Sequence, residues 1–231
     1  VFRNNAVMRL LLSQRADVNA RDIMGSVPLH AACFSNNAAG VRILLDARAN
    51  PNLETLTGFS PFQVAAGSSS IDAMKEILSL HPTQSLRHSL HFALMFQGGF
   101  AETVSFLVEA KADVDEEYRV GTKYRTWWLL LNISAAVHRL SPSRLTCLAY
   151  HHDGGTPLMF SILGGYSEAT SALAAGVRVD GKTAEMWAPG SITQTLGGRV
   201  QGVTSPMVSF PYEPSSETLT VAQTGTMYMT L

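Results

Sequence analysis

The segment Gly25-Ser-Val-Pro-Leu-His-Ala-Ala32 recurs 33 residues later as Gly58-Phe-Ser-Pro-Phe-Gln-Val-Ala65, and an apolar helix pattern follows each copy. Pro28 and Pro61 suit the first turn of a helix, where the missing N–H is not needed. The apolar residues that follow are spaced three and four apart, as on one helix face. A fixed period of this length is typical of stacked-repeat proteins, in which each unit buries its apolar face only against its neighbours. Such a chain is usually a binding surface without a reaction site.

The ends of the second helices repeat as well. In four segments a predicted helix ends with the same order of residue types, namely an apolar pair, a short linker and an acidic or amide residue. These segments are 11–19, 44–52, 107–115 and 172–180. Four copies of one helix exit indicate four copies of one structural unit.

These openings and exits resemble the ankyrin-repeat family, whose units open on Gly-x-Thr-Pro-Leu-His-x-Ala-Ala and close on Leu-Leu-x-x-Gly-Ala-Asp-Val-Asn. The match is good over 1–115 and 153–180 and poor over 116–152. The resemblance implies an L-shaped pair of helices in each unit, with hairpin turns that project to one side. It also implies that His30 and His91 hydrogen-bond to the backbone of a turn.

Two departures from the family pattern concern the helix ends. The helix-capping threonine is Val27 in the first full unit, so we expect that unit to depend more on its neighbours. The family's exit glycine is replaced by Arg15, Arg48 and Lys111. A left-handed residue other than glycine costs roughly 1–2 kcal/mol, and a cation at a helix C-terminus offsets only ~0.3–1 kcal/mol of it. We expect these three residues at positive φ, or a remodelled exit.

The sequence therefore predicts an all-α ankyrin-repeat solenoid of stacked helix pairs joined by hairpin turns over residues 1–187. About five to six units are expected, with these bounds: 1–21, 22–54, 55–86, 87–116, 117–152 and 153–187. The 117–152 unit is degenerate, because His91 and Met159 are 68 residues apart, which is twice 34. The rival interpretation of 117–152 is an insertion loop with its own helix. Residues 188–231, rich in Ser, Thr, Gly and Pro, are predicted to form a flexible tail.

Composition sets the broad class of the protein. The chain has 231 residues, is 46% hydrophobic and carries a net charge of −1. It can bury a substantial core, and nothing in its charge favours nucleic acid or a membrane surface. The longest apolar run, 127–133, is too short to insert into a bilayer. The two cysteines match no metal spacing and fit a reducing, intracellular and cytoplasmic location. Because the chain begins at Val1 in the middle of a unit, we expect a fragment of a longer array.

No sequence motif of an enzyme is present. The chain has no Gly-x-Ser-x-Gly, no phosphate-binding loop, no His-Glu-x-x-His and no nucleotide fingerprint. The densest histidine group, His151-His152-Asp153, directly precedes a repeat turn, and adjacent residues rarely point at one ion. We therefore expect no catalytic residue, no metal, no cofactor and no small-molecule substrate.

Two groups of residues are candidates for partner binding. The first occupies turn positions that a monomer would usually leave polar: Ile23, Met24, Leu53, Leu56 and Phe59. The alternative is that flanking turns cover one another. The second group is Trp127 and Trp128, inside the stretch 119–149, which holds five Lys or Arg residues and no acid. That stretch could grip an acidic partner segment or nucleic acid; alternatively, the tryptophans fill the core of the degenerate unit.

The function predicted from these observations is a non-catalytic scaffold that binds a partner protein or peptide through hairpin tips and inner helices. Rigid helix pairs would present this surface with little loss of ordering entropy on binding. The alternative is a targeting or regulatory segment of a larger enzyme, such as a kinase or a ubiquitin ligase. A nucleic-acid partner and membrane insertion are not expected, and the sequence does not identify the protein partner.

Overall fold

The computed structural model describes residues 4–96, 99–120, 124–138, 140–141, 143–176, 220–221 and 227–228. Within these residues the chain forms eleven helices: α1 (Asn5–Ser13), α2 (Pro28–Phe34), α3 (Ala38–Asp46), α4 (Pro61–Gly67), α5 (Ile71–Leu80), α6 (Ser89–Phe96), α7 (Ala101–Glu109), α8 (Arg125–His138), α9 (Arg144–Tyr150), α10 (Pro157–Leu163) and α11 (Ser167–Gly176). Two short strands, β1 (Thr220–Val221) and β2 (Met227–Tyr228), pair antiparallel.

The helices associate in pairs. Helix α2 packs on α3, α4 on α5, α6 on α7 and α10 on α11, while α2, α4 and α6 contact one another in order. Equivalent apolar residues of the second helices are buried along the stack: Leu44, Ile77, Leu107 and Leu173. The predicted helical architecture is confirmed for the described residues between 4 and 176. None of the described helices combines the length and apolar composition needed to cross a bilayer.

The first helices begin with reciprocal hydrogen bonds at their N-termini. Ser60 Oγ accepts from the Gln63 amide at 3.3 Å, and Gln63 Oε1 accepts from the Ser60 amide at 2.9 Å. At Val27 only half of this arrangement remains, because the valine side chain cannot accept and His30 Nδ1 alone accepts from the Val27 amide. The weaker cap expected for that unit is therefore present, and one side-chain acceptor is missing from it.

The helix exits have the left-handed conformation that the family's glycine would provide. Arg15, Arg48 and Lys111 have φ values of 62°, 67° and 66°. After Arg48, the Ala49 amide donates to the Leu44 carbonyl at 2.9 Å, which satisfies an otherwise free carbonyl of the last turn. The expectation of positive φ is confirmed at all three exits.

Helices of the predicted units 87–116 and 153–187 contact each other directly. Helix α6 packs on α10, and α7 packs on α11. A unit interposed between them would separate these helices. These contacts do not agree with a degenerate unit at 117–152. They favour the alternative interpretation, in which 117–152 is an insertion with its own helix. The bounds of the other units stay predictions.

The insertion leaves the stack at the tip of a hairpin. The three hairpins share one backbone hydrogen bond at their base: Asp22 N–H to the Ser26 carbonyl, Thr55 N–H to the Phe59 carbonyl, and Tyr118 N–H to the Gly155 carbonyl, at 2.9, 3.0 and 2.9 Å. Three residues lie between the partners in the first two hairpins, whereas residues 119–154 lie between the partners in the third. We call 119–154 the insertion; it contains α8 and α9.

The C-terminal prediction falls mostly outside the described residues. The predicted flexible tail, 188–231, is described only at β1 and β2, where Thr220 lies opposite Tyr228 and Val221 opposite Met227. The described residues of this segment form two strands that pair with each other.

Candidate partner-binding surface

The first hairpin tip is held by hydrogen bonds to a single carboxylate. Asp22 Oδ1 accepts from the amides of Met24 and Ser26, at 2.9 and 2.8 Å. Gly25 makes the turn with φ of 73°, a conformation that glycine adopts without strain. The residues at the tip are left in solvent, so Ile23 is 91% exposed and Met24 53% exposed.

The second tip repeats this design with a hydroxyl in place of the carboxylate. Thr55 Oγ1 accepts from the Phe59 amide at 3.1 Å, and Gly58 provides a φ of 87°. Leu56 is 61% exposed. Its amide donates to the Met24 carbonyl at 2.9 Å, so the two tips are joined edge to edge. The exposed apolar residues of both tips therefore lie side by side.

Side chains of the first helices hold the turn that follows each of them. His30 Nε2 lies 2.9 Å from the Phe59 carbonyl, Gln63 Nε2 donates to the Arg87 carbonyl at 2.8 Å, and His91 Nε2 lies 2.9 Å from the Gly155 carbonyl. Burial lowers the pKa of His30 below its ordinary value, so its ring is neutral, with Nε2–H donating. These contacts are the ones that the family resemblance implied for His30 and His91.

The start of α8 lies over the second tip. The Tyr124 hydroxyl donates to the Glu54 carboxylate, and Thr126 Oγ1 donates to the Leu56 carbonyl at 3.2 Å. The Tyr124 ring rests against Gly58, where an added Cβ would come within 2.6 Å of it. Glycine at 58 thus serves both the turn and the close approach of the insertion.

Trp127 joins the insertion to the aromatic residues beneath it. Its ring meets Phe59 edge-on, with centroids 4.9 Å apart, and lies 6.0 Å from Phe96. Its Nε1 donates to the Tyr118 hydroxyl at 2.7 Å. Phe59, Trp127 and Leu53 are partly buried and pack against the core. Three of the seven predicted partner-binding residues are therefore used for packing within the chain.

The outward side of α8 is apolar. Trp128 is 52% exposed, and four more large apolar side chains of this helix are exposed to a similar degree: Leu129, Leu130, Ile133 and Val137. We call these five residues the apolar face of α8. Only Leu131 of the helix is buried among the residues whose side chains the structure describes. Sequence reasoning selected Trp128 but missed the other four, because an apolar run read as a repeat unit is assigned to the core.

The charge of the insertion is partly neutralised at its start. Arg119 donates to the Glu117 carboxylate, with Nη2 to Oε2 at 2.6 Å. Glu117 lies just outside the stretch 119–149, which contains no acidic residue. Its carboxylate offsets the positive charge of Arg119, so the stretch is less basic in the folded chain than its composition indicates. The apolar side chains are the main feature of this surface.

Apart from the apolar surface, the fold brings together a group of side chains of the kinds that bind metal ions. Within the described residues, one group of three His, Cys, Asp or Glu side chains is close enough to share an ion: His88, His91 and Glu116. Burial and the neighbouring His88 lower the pKa of His91 to about 4. Burial opposes ionisation of Glu116, but the His88 amide, which donates to the carboxylate, and the adjacent His88 ring outweigh it, so the pKa of Glu116 lies below its usual value.

This cluster was missed because its members are distant in sequence. The densest histidine group in the sequence is instead His151-His152-Asp153, whose members are adjacent in the chain. The available signal was the pair His88-x-x-His91 at a helix start, but Glu116 lies 25 residues further on. Only the fold brings the turn before α6 next to the chain after α7.

Neither cysteine resembles an activated nucleophile. Burial raises the pKa of the Cys33 thiol, and burial also raises that of Cys147. Both are free thiols. A thiol that stays protonated at neutral pH is a poor nucleophile, and Cys33 is part of the buried core.

Comparison with known proteins identifies one repeat. Residues 24–56 match the family model described as the ankyrin repeat. No curated protein matches the chain. The match begins at the first hairpin tip and ends at the second, so it spans one complete helix pair, and it confirms the family resemblance found from the motifs.

Proposed function

We propose that this chain, which carries an ankyrin repeat, is a non-catalytic scaffold that binds a partner protein through its hairpin tips and the apolar face of α8. The ankyrin repeat is a protein–protein interaction module. In our proposal the helix pairs are units of an ankyrin-type solenoid, and the insertion adds a further element to its binding side.

One observation carries this proposal: apolar side chains are exposed side by side on rigidly held turns. Ile23, Met24 and Leu56 are more than half exposed, and the hydrogen bond from the Leu56 amide to the Met24 carbonyl joins the two tips. Thr126 brings the start of α8 to the carbonyl of Leu56, so the apolar face of α8 begins beside the tips. Contiguous exposed apolar surface of this kind marks interaction sites.

The proposed mechanism is presentation of a preformed surface. The amides of Met24 and Leu56 are already hydrogen-bonded within the chain, so little conformational freedom is lost when a partner binds. The partner is expected to present apolar side chains, because the surface offers isoleucine, methionine, leucine and tryptophan and few charges. Trp128 and Met24 belong to the residue types enriched at protein interfaces.

Affinity capture with matched variants tests the proposal. The full chain, a tip variant (Ile23→Ser, Met24→Ser and Leu56→Ser together) and an α8 variant (Trp128→Ser with Ile133→Ser) are immobilised and exposed to the same extract. We expect proteins retained by the native chain to be lost from the tip variant and reduced on the α8 variant.

The control is Phe34→Ser, which also replaces an exposed apolar side chain but lies at the far end of α2 from the hairpins. It should retain the same proteins as the native chain. Circular dichroism checks that all variants keep their helical content. Retention that is unchanged in both the tip variant and the α8 variant would contradict the proposal.

A further inference from the structure

We propose that His88, His91 and Glu116 form a binding site for one divalent transition-metal ion, and that zinc is the ion their chemistry favours. One ligand atom from each residue lies within 4.8 Å of the others. Two imidazoles and one carboxylate are a common ligand set for zinc, in which a water or another group occupies the fourth position.

His91 is oriented as a metal ligand should be. Its side chain is fully buried, and Nε2 lies 2.9 Å from the Gly155 carbonyl, to which it donates. A neutral imidazole has one N–H, so Nδ1 carries a free lone pair, and this buried atom has no hydrogen-bond partner. Histidines that bind metals typically donate their other N–H to a backbone carbonyl in this way.

The cluster replaces the ordinary contact of a repeat. In the first full unit the Val27 amide donates to His30 Nδ1. The equivalent amide, that of His88, donates instead to Glu116 Oε2 at 2.6 Å, which leaves His91 Nδ1 free. His88 also has a φ of 57°, whereas Val27 is extended. Strained backbone of this kind is concentrated at functional sites.

His88 and Glu116 are spaced as two corners of a coordination polyhedron. His88 Nδ1 lies 3.2 Å from Glu116 Oε1, yet this ring nitrogen makes no aligned hydrogen bond. Two ligands bound tetrahedrally to zinc at 2.0–2.1 Å are about 3.3 Å apart. A ring nitrogen that shares a metal with a neighbouring oxygen points to the metal and away from that oxygen.

One nearby charge opposes a cation. Arg87 Nε lies 3.4 Å from the same Glu116 oxygen, and the arginine side chain is largely exposed. An ion at the site would compete with this guanidinium, which is free to move into solvent. Removal of the Arg87 charge should therefore strengthen binding, an effect opposite to that of removing a ligand.

A bound ion would fix three parts of the chain to one another: the turn before α6, the segment after α7 and, through His91, the Gly155 carbonyl that closes the third hairpin. It would act where the insertion leaves the stack. Because the ion binds the folded chain, it should raise the unfolding temperature in a concentration-dependent way.

The test uses the full chain, stripped of metal with a chelator and then dialysed. Zinc chloride is titrated by calorimetry, and thermal unfolding is followed with and without zinc. We expect one saturable site per chain and a higher unfolding temperature with zinc. His88→Ala and Glu116→Gln should each weaken binding at least ten-fold, whereas Arg87→Ala should tighten it.

The matched control is His81→Ala, which removes a histidine from outside the cluster and should leave the affinity unchanged. Glu116→Gln keeps an acceptor for the His88 amide, so a correctly folded variant is expected; circular dichroism verifies this. The absence of saturable zinc binding would overturn the proposal. So would binding of unchanged affinity in Glu116→Gln, which would show that zinc occupies another place.

Discussion

Helices α3 and α8 are both rich in apolar residues, but they use them differently. Helix α3 has nine residues and buries five of them, whereas α8 has fourteen residues and only Leu131 is buried among its described side chains. Helix α3 lies between α1 and α5 in the stack and also packs on α2, whereas α8 packs mainly on α9. Burial therefore follows the number of neighbouring helices, and apolar composition alone does not determine it.

The largest expected difference between the two helices concerns leucine truncation. Leu44→Ala should destabilise the chain by ~2–5 kcal/mol, because it leaves a cavity in a fully packed site. Leu129→Ala on α8 removes the same atoms from a half-exposed site and should change the free energy of unfolding by less than ~0.5 kcal/mol. Urea unfolding of both variants measures the difference. Equal losses of unfolding free energy in the two variants would contradict the difference in burial between α3 and α8.

The two tryptophans of α8 repeat this comparison within one helix. Trp127→Ala should cost roughly 1–3 kcal/mol, less than the full loss for a buried aromatic residue, because Trp127 is only partly buried. The variant also removes the donor to the buried Tyr118 hydroxyl. Trp128→Ala should cost less than ~0.5 kcal/mol. Hydrogen exchange of α8 in each variant would locate the effect, and a larger loss for Trp128→Ala would contradict the assigned orientation.

We expect the contact made by His30 and the equivalent contact made by Gln63 to differ in how they change stability with pH. The pKa of His30 in the folded chain lies below the ordinary histidine value of about 6.5, mainly because the ring is buried. The unfolded chain therefore binds a proton first as the pH falls, so the stability that neutral His30 provides is present above about pH 6.5 and declines below it. His30→Gln should reduce this decline, measured as urea midpoints at pH 7.5 and 5.5.

Gln63→His is the reciprocal control for that measurement. Gln63 makes the same contact to the next turn as His30, so a histidine there should add a decline over the same pH range. If neither substitution changes the pH dependence of the urea midpoint, the buried ring is not the titrating group.

The smallest expected effect is at the helix exits. Arg48→Gly relieves roughly 1 kcal/mol of left-handed strain, but it removes ~0.3–1 kcal/mol of attraction to the helix C-terminus and adds freedom to the unfolded chain. We expect a gain no larger than a few tenths of a kcal/mol by thermal melting. Lys111→Gly, at the exit that precedes the insertion, should behave alike. A loss above ~1 kcal/mol in either variant would contradict the strain argument.

The regular part of the fold could be predicted because every local signal repeated. The Pro28 and Pro61 openings recur at the 33-residue spacing, and the family resemblance implied the left-handed exits and the histidine contacts. The insertion could not be placed, because a spacing of twice the repeat length fits both a hidden unit and a long excursion. Contacts between α6 and α10 favour the long excursion, and such contacts join residues too distant for periodicity to show.

The candidate surface was predicted only in part for a related reason. Turn positions identify Ile23, Met24 and Leu56 as exposed, since tips project from the stack. Whether a tip remains uncovered depends on what else folds back over it, and α8 covers Phe59 while leaving Leu56 exposed. The order of residues along the chain does not contain this information.

The backbone hydrogen bond that the three hairpins share at their base has a consequence for chain entropy. Between Thr55 and Phe59 it closes a three-residue loop, and between Tyr118 and Gly155 it closes a loop of thirty-six residues. For a flexible loop, the closure cost grows only with the logarithm of length, so this twelve-fold difference amounts to about 2 kcal/mol. Internal pairing of α8 with α9 shortens the effective loop and reduces that cost. A hairpin tip is therefore a position where a repeat array can acquire or lose a folded segment without changing the register of its neighbours.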